Sequence, residues 1–242
     1  MGNDISASVS LIRERINAAC VRSGRDPKEI RLMGVSKLQP LSAIEEAWKS
    51  GIRIFGENRV QEGMEKFAVF REQHSFKDHT NSDEEIEIHL IGNLQRNKAK
   101  KAADFFDCIQ SVDRESLIEE LGAWTLGRER PLMILLEYHT GEPSKAGFPD
   151  LDSLCKAAER VLSFSGLKPC GLMTMAPFTA DEKAVRAAFR SCCLAAEELK
   201  KRFPESGWSC LSMGMSGDFE IAIEEGSTLV RIGTAIFGER CT

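Results

Sequence analysis

The sequence predicts an α/β fold, a single (β/α)8 TIM-type barrel with one additional helix at its N-terminal end. Three observations carry that reading. Short apolar runs alternate with longer stretches of helical periodicity, which implies parallel strands joined by helical crossovers. Eight such units fit within 242 residues, close to the roughly 250 residues of a closed barrel. No G-x-G-x-x-G follows the first strand, where an open dinucleotide-binding sheet would carry it. No linker or compositional shift divides the chain. The expectation is therefore one domain over 1–242, with a leading helix in 1–25 and the barrel over 31–238.

The elements follow in order. Ile5, Val9, Ile12, Ile16 and Ala19 recur at helical spacing and predict a helix from Ile5 to Arg22. Asp26-Pro27 then punctuates the chain before a strand at Arg31 to Ser36. Leu41 to Ser50 reads as helix and Gly51 to Phe55 as strand. Asn58 to Arg71 reads as helix, and the polar stretch His74 to Glu85 as a loop. Ile86 to Ile91 is a strand, Leu94 to Ala103 a basic helix, and Phe105 to Ser111 a strand. Arg114 to Leu126 is a helix and Pro131 to Tyr138 a strand. His139 to Pro149 holds two Pro and two Gly and reads as a loop. Asp150 to Leu162 is helical, Leu167 to Thr174 a strand, and Ala180 to Arg202 a long helix. Trp208 to Met213, Asp218 to Glu225 and Leu229 to Ile232 complete the series as strand, helix and strand.

Composition narrows the function classes. Lys+Arg number 32 against 37 Asp+Glu, a net charge of −5 that argues against nucleic-acid binding. The longest apolar runs, such as Pro131 to Leu136, fall far short of the roughly 20 residues of a membrane span. No basic region followed by an apolar stretch marks a secretory signal. Met1-Gly2-Asn3-Asp4-Ile5-Ser6 fits the bare myristoylation pattern but reads more simply as a disordered start to the first helix. Eight cysteines include no C-x-x-C pair, and the four histidines are scattered, so no metal site is expected. Reduced, mostly buried thiols and a cytoplasmic location are the expectation. There is a single Tyr against 13 Phe. Any mechanism that needs a phenol therefore has one candidate.

Barrel chemistry sits at the C-terminal ends of the strands. Strand one ends in Val35-Ser36-Lys37. A lysine desolvated at a barrel mouth has a lowered amine pKa and attacks aldehydes. Taken alone, Lys37 reads more simply as a solvated lysine before Pro40. Strand two ends in Gly56-Glu57-Asn58. Asn58 either orients a ligand or caps the next helix, with Gln61 closing a capping box, and the cap is the simpler reading. The basic helix with Arg96, Lys98, Lys100 and Lys101 is either an anion or partner patch or a solvated face. Strand seven leads into Ser212-Met213-Gly214-Met215-Ser216-Gly217, and strand eight into Arg231-Ile232-Gly233-Thr234. Small residues there let backbone N–H groups approach a phosphate, and many barrels build a phosphate site from these two loops. Gly141 to Gly147 is either a gating loop, with Lys145 as a second cation, or a plain surface loop. A lysine at the mouth and a phosphate cradle on its opposite side together suggest a phosphorylated aldehyde held as an imine. Pyridoxal 5′-phosphate is the common cofactor of that description.

Longer motifs run in order along the chain. They are Val35-Ser36-Lys37, Phe55-Gly56-Glu57-Asn58-Arg59-Val60-Gln61-Glu62, and His89-Leu90-Ile91-Gly92-Asn93-Leu94-Gln95-Arg96-Asn97-Lys98. Gly171-Leu172-Met173-Thr174-Met175, Leu211-Ser212-Met213-Gly214-Met215-Ser216 and Val230 to Gly238 follow. From residue 31 to 238 the chain resembles the YggS/PROSC family of pyridoxal phosphate homeostasis proteins. The resemblance implies an alanine racemase N-terminal-domain-like barrel in which Lys37 carries the cofactor as an imine. It places Arg231 against the pyridine nitrogen, Ser212, Gly233 and Thr234 on the phosphate with Ser216 near it, and Asn58 along the ring. The stretch Leu136-Glu137-Tyr138-His139 departs from the Asn-containing stretch usual in the family, whereas Ser144-Lys145-Ala146-Gly147 matches.

Three functions compete on these grounds. The resemblance implies a monomeric cytoplasmic protein that stores, buffers or delivers pyridoxal phosphate, with pyridoxal phosphate-dependent apoenzymes as partners and without turnover. The alternative is a pyridoxal phosphate-dependent amino-acid racemase. Racemisation needs two bases on opposite faces of the Cα, and the racemase partner of the lysine is a Tyr from an additional C-terminal domain. The chain ends four residues past Gly238, so that domain is expected to be absent, and Tyr138 is the sole internal Tyr. A Schiff-base aldolase acting on a phosphosugar explains none of the long motifs.

Overall fold

The computed structural model describes residues 4–74, 85–141 and 146–238. Most of the expected 74–85 loop lies outside them, as do Met1 to Asn3, Ser144, Lys145 and Cys241. The elements run α1 Ile5–Ser23, β1 Arg31–Val35, α2 Leu41–Lys49, β2 Ile54–Glu57, α3 Val60–Gln73, β3 Glu87–Leu90, α4 Ala99–Phe105 and β4 Cys108–Val112. They continue with α5 Glu115–Thr125, β5 Leu132–Glu137, α6 Leu151–Leu162, β6 Leu167–Met173, α7 Glu182–Arg202, β7 Cys210–Ser212, α8 Phe219–Glu224, β8 Leu229–Ile232 and α9 Thr234–Phe237. The eight strands close in sequence order into a parallel barrel. Closure pairs β1 with β8, setting Met33 beside Arg231 and Gly34 beside Ile232. The loops after β7 and β8 therefore adjoin Lys37. They do not face it across the mouth, as linear order suggested.

The leading helix α1 packs against α2, α8 and α9. Its apolar stripe of Ile5, Val9, Ile12, Ile16 and Ala19 is buried as the periodicity required. Asp4 caps its start by accepting from the Ala7 N–H at 2.9 Å. Arg15 holds Glu220 of α8 with two hydrogen bonds of 3.2 and 3.0 Å. Arg25 donates to the carbonyls of Ile223 and Ser227. The helix thus braces the segment that carries the β7 and β8 loops.

Several boundaries differ from expectation, among them β2, which starts at Ile54 and runs to Glu57. The basic helix splits into a 3-10 turn, Arg96–Lys98, and α4. Strand β4 starts only at Cys108, because Phe105 ends α4 and Phe106 packs into the core beneath it. Helix α9 follows β8, a four-residue turn too short to leave a periodicity. On the basic segment, Lys100 pairs with Asp104 and lies over the Trp124 ring, and Arg96 pairs with Glu120. Those partners favour the solvated-face reading. Among the described residues the seven cysteines are free. Burial raises the thiol pKa of Cys20, Cys108, Cys155 and Cys170, and pushes Cys193 and Cys210 up to about 11. A thiol held protonated is a weak nucleophile near neutral pH.

Strand β6 carries Pro169, a residue that a central strand tolerates only at an irregularity. The β5–β6 register slips there, between Ile134 and Leu135, so Cys170 bulges between Pro169 and Gly171. The bulge brings Gly171 hard against β7, where an added Cβ would sit 1.8 Å from the Cys210 carbonyl oxygen. The backbone must shift to admit any side chain. Gly171→Ala is expected to cost about 3 kcal/mol, the upper range for overpacking, read as a lowered denaturation midpoint in urea with an unchanged slope.

Candidate functional site

A cavity of about 290 Å³ opens at the C-terminal end of the strands. Lys37, Asn58, Ser216, Arg231, Gly233 and Thr234 line it together. Its apolar walls are Val35, Ile91, Met173, Met175 and Met215. That volume stands at the small end of ligand pockets. Ser212 does not line it. It is fully buried, and its hydroxyl is committed within the barrel to Gln110 and Arg231.

Asn58 reaches the cavity because it does not cap α3. The N-cap is Arg59, whose extended backbone makes no side-chain cap bond, so the expected capping box with Gln61 does not form. On the far wall, Gly214 adopts φ +91°, and a Cβ there would meet the Phe219 Cα at 2.7 Å. Only glycine bends the chain so tightly beside α8. Asp218 then accepts from the Met215 N–H at 2.6 Å and fixes the loop that presents Met215, Ser216 and Gly217. The Ser216 hydroxyl accepts from the Ala235 N–H at 3.3 Å, joining the loops after β7 and β8.

Arg231 is the buried charge of the site, 4% exposed. Nη1 donates to the Ser212 carbonyl at 2.5 Å and to its hydroxyl at 2.8 Å, and Nη2 donates to the Thr174 carbonyl at 2.9 Å. Burial lowers its pKa, while Asp218 and Glu137 favour the charged form. Burial in turn raises the Asp218 carboxyl, against the Met215 hydrogen bond and the Arg231 charge.

Lys37 is half-buried and sits between two anchored neighbours. The Ser36 hydroxyl donates to Glu57 Oε1 at 2.7 Å. Lys66 Nζ donates to the Ser36 carbonyl at 2.8 Å and to Glu57 and Glu62, both at 3.0 Å. Glu62 also accepts from the Leu38 N–H. Leu38 takes φ +61°, the sole left-handed non-glycine residue among those described. Such a conformation costs about 1–2 kcal/mol and persists because its surroundings hold it. The residues on either side of Lys37 are thus tied to α3 and β2. In the sequence, Glu57 and Glu62 stand within a long motif with no role of their own, and Lys66 stands outside it. The spacing of Glu62 and Lys66, one helical turn, was the available signal.

Glu57 is wholly buried, and burial raises its pKa despite Lys66 and the Ser36 hydrogen bond. A raised folded-state value means that its contribution to stability is fully present below the unfolded carboxyl range and is lost as pH rises through the folded value. Glu57→Gln keeps an acceptor for Ser36 and Lys66 without the buried charge. Its stability relative to wild type is expected to improve as pH rises from about 4 to 7. Glu57→Leu removes one acceptor from the half-buried Lys66 and is expected to cost about 3 kcal/mol. Chemical denaturation at several pH values checks both.

The comparisons with known proteins agree with this fold. The family described as the alanine racemase N-terminal domain matches residues 9–241. A protein named pyridoxal phosphate homeostasis protein from Vibrio cholerae is 39% identical over 98% of this chain and 96% of its own length. Its namesake from Escherichia coli K12 is 40% identical over 98% and 97%. The solved structure of PipY from Synechococcus elongatus, with PLP bound, matches at 36% identity with a TM-score of 0.78, covering 94% of this chain and all of that one. A Clostridium difficile alanine racemase, 11% identical, shares the fold at a TM-score of 0.73, and this chain covers 58% of its length. The chain belongs to the alanine racemase N-terminal domain family and, within it, to the group of the pyridoxal phosphate homeostasis proteins.

Proposed function

We propose that this chain binds pyridoxal 5′-phosphate at the barrel mouth through Lys37 and serves vitamin B6 homeostasis without turning over a substrate. The observation that carries the reading is the convergence of Lys37, Arg231 and the loops after β7 and β8 on one small cavity. The residues present fit the cofactor. A primary amine, an oriented guanidinium, two small-residue loops and a wall of three methionines match an aldehyde, a pyridine nitrogen, a phosphate and a flat ring. When bound, the cofactor supplies an aldehyde that condenses reversibly with a primary amine.

Lys37 supplies that amine, from a loop held on both sides by the Glu57–Lys66–Glu62 network. Arg231 would meet the ring nitrogen. A guanidinium only donates, so a nitrogen that accepts from it is kept free of a proton, which weakens the ring as an electron sink. Ser216, Gly233 and Thr234 would hold the phosphate, and Asn58 the ring. Met173, Met175 and Met215 would keep water from the ring faces. Ser212 acts from below by holding Arg231.

The reading without turnover rests on the proton inventory. Among the described residues that line the cavity, Lys37 and Arg231 are the ionisable groups, and arginine does not exchange its proton near neutral pH. Lys37 is then one base where racemisation needs two. Tyr138 lies elsewhere, packed against the core at the end of β5. Apoenzymes that need the cofactor are the proposed recipients, and a monomer in the cytoplasm is the proposed working form. The free, protonated thiols are in keeping with a reducing compartment. Among the described residues no helix is long and apolar enough to cross a membrane.

Borohydride treatment of the cofactor-loaded protein is expected to fix one pyridoxyl group on Lys37, and Lys37→Ala to give none. Mass spectrometry that places the group on another residue would sink the site assignment. Turnover of L-amino acids to their D-forms by the wild type would sink the reading without catalysis.

A further inference from the structure

Arg231 begins a hydrogen-bonded chain that crosses the barrel. Its Nη1 donates to Ser212 Oγ at 2.8 Å. Ser212 Oγ donates to Gln110 Oε1 at 2.6 Å, and Gln110 Nε2 lies 2.7 Å from His89 Nδ1. His89 Nε2 lies 3.0 Å from Glu87 Oε2, and Arg31 donates to Glu87 Oε1. Ser212 and Gln110 are fully buried, and His89 is 3% exposed. Barrel interiors are ordinarily filled by branched apolar side chains, and a buried polar network is costly unless every member is satisfied. Here each link is.

The direction of the chain follows from one end. A guanidinium has no acceptor, so the Ser212 oxygen must accept from Arg231 and point its hydrogen at Gln110. Gln110 must then offer its carbonyl to Ser212 and its NH2 to His89. His89 is left with a bare Nδ1 and a proton on Nε2, directed at the Glu87 carboxylate. Every donor points away from the cofactor cavity. The far end reaches a second cavity of about 280 Å³, lined by Arg31, Glu87, His89, Cys108, Lys168 and Cys170 among others.

Resting on the proposed cofactor site, we infer that Gln110 and His89 are positioning residues that set Arg231 through this one-way chain, so that the cofactor pocket senses protonation of His89. A second proton on Nδ1 would face the Gln110 NH2. The amide would have to turn over, and Ser212 would then meet donors from both Gln110 and Arg231. The charged and titratable groups around His89 are Glu87 on its own strand, Arg31 from β1, Asp107 and Cys108 at β4, Lys168 and Cys170 from β6, and Cys210 from β7. Burial pushes Glu87 up, but the His89 hydrogen bond and the Arg31 charge and hydrogen bond outweigh it and leave its carboxyl below the ordinary value. The acceptor at the end of the chain therefore stays ionised.

The test uses the full chain loaded with pyridoxal phosphate. The visible absorbance of the bound cofactor is followed against pH in the wild type, His89→Gln, His89→Leu and Gln110→Met. In parallel, ring NMR follows the titration of His89. The wild type is expected to show an absorbance transition whose midpoint coincides with that of the His89 ring. His89→Gln, an amide able to accept from Gln110 and donate to Glu87, should bind the cofactor like wild type but lose that transition. Gln110→Met and His89→Leu should bind roughly tenfold more weakly, the scale of one hydrogen bond to a charged group. Absorbance that follows pH identically in wild type and His89→Gln overturns the inference. So does wild-type affinity and spectrum in Gln110→Met. Borohydride trapping on Lys37 in each variant keeps this outcome separate from failure of the site itself.

Discussion

A guanidinium buried inside a barrel is the constraint on which the rest of this structure turns. A charge removed from water must be met by acceptors and counter-charges or it destabilises the fold by several kcal/mol. Arg231 is met by the Ser212 carbonyl and hydroxyl and the Thr174 carbonyl, with Asp218 and Glu137 as counter-charges. Those partners come from β5, β7 and the loops after β6 and β7. The same Asp218 fixes the Met215 backbone and so shapes the wall of the cavity. Satisfying the buried charge and building the site are one structural task.

The second half of the site is organised by strain of a different kind. Leu38 is held in a left-handed conformation by Glu62, and Ser36 is held by Glu57 and Lys66. Lys37 lies between them, so its backbone is fixed while its side chain lines the cavity. Barrel closure sets β8 beside β1 and brings the small-residue loops to the lysine. In the proposed reading, an amine on a fixed backbone and a guanidinium that cannot give up its proton favour reversible capture over proton transfer. The one tyrosine, partly buried and packed against the core at the end of β5, is in keeping with that reading.

Much of this was legible in the sequence, for identifiable reasons. All eight strands fall where short apolar runs sit between turn signals, and Ile5 to Ala19 shows its helical stripe. Strand β4 slipped because Phe105 and Phe106 read as strand residues, although they close α4. Helix α9 has four residues and no period to detect. Asn58 looked like a cap because its neighbours fit a capping box, and only the extended Arg59 shows that the helix starts later. Ser212 was grouped with the phosphate loops, yet its side chain points into the barrel toward Gln110. Linear order placed the lysine and the phosphate loops on opposite sides, because the pairing of β1 with β8 is not written in any local pattern. Gln110 and His89 gave only a faint signal, as polar residues within otherwise apolar strands.

In the proposed site, Arg231 would meet the ring nitrogen of the cofactor as a pure donor. The most direct measurement is the 15N chemical shift of pyridoxal phosphate, labelled at its ring nitrogen and bound to the full chain at neutral pH. The expected shift is that of an unprotonated, hydrogen-bonded pyridine nitrogen, displaced in Arg231→Glu. A pyridinium shift in the wild type would contradict it.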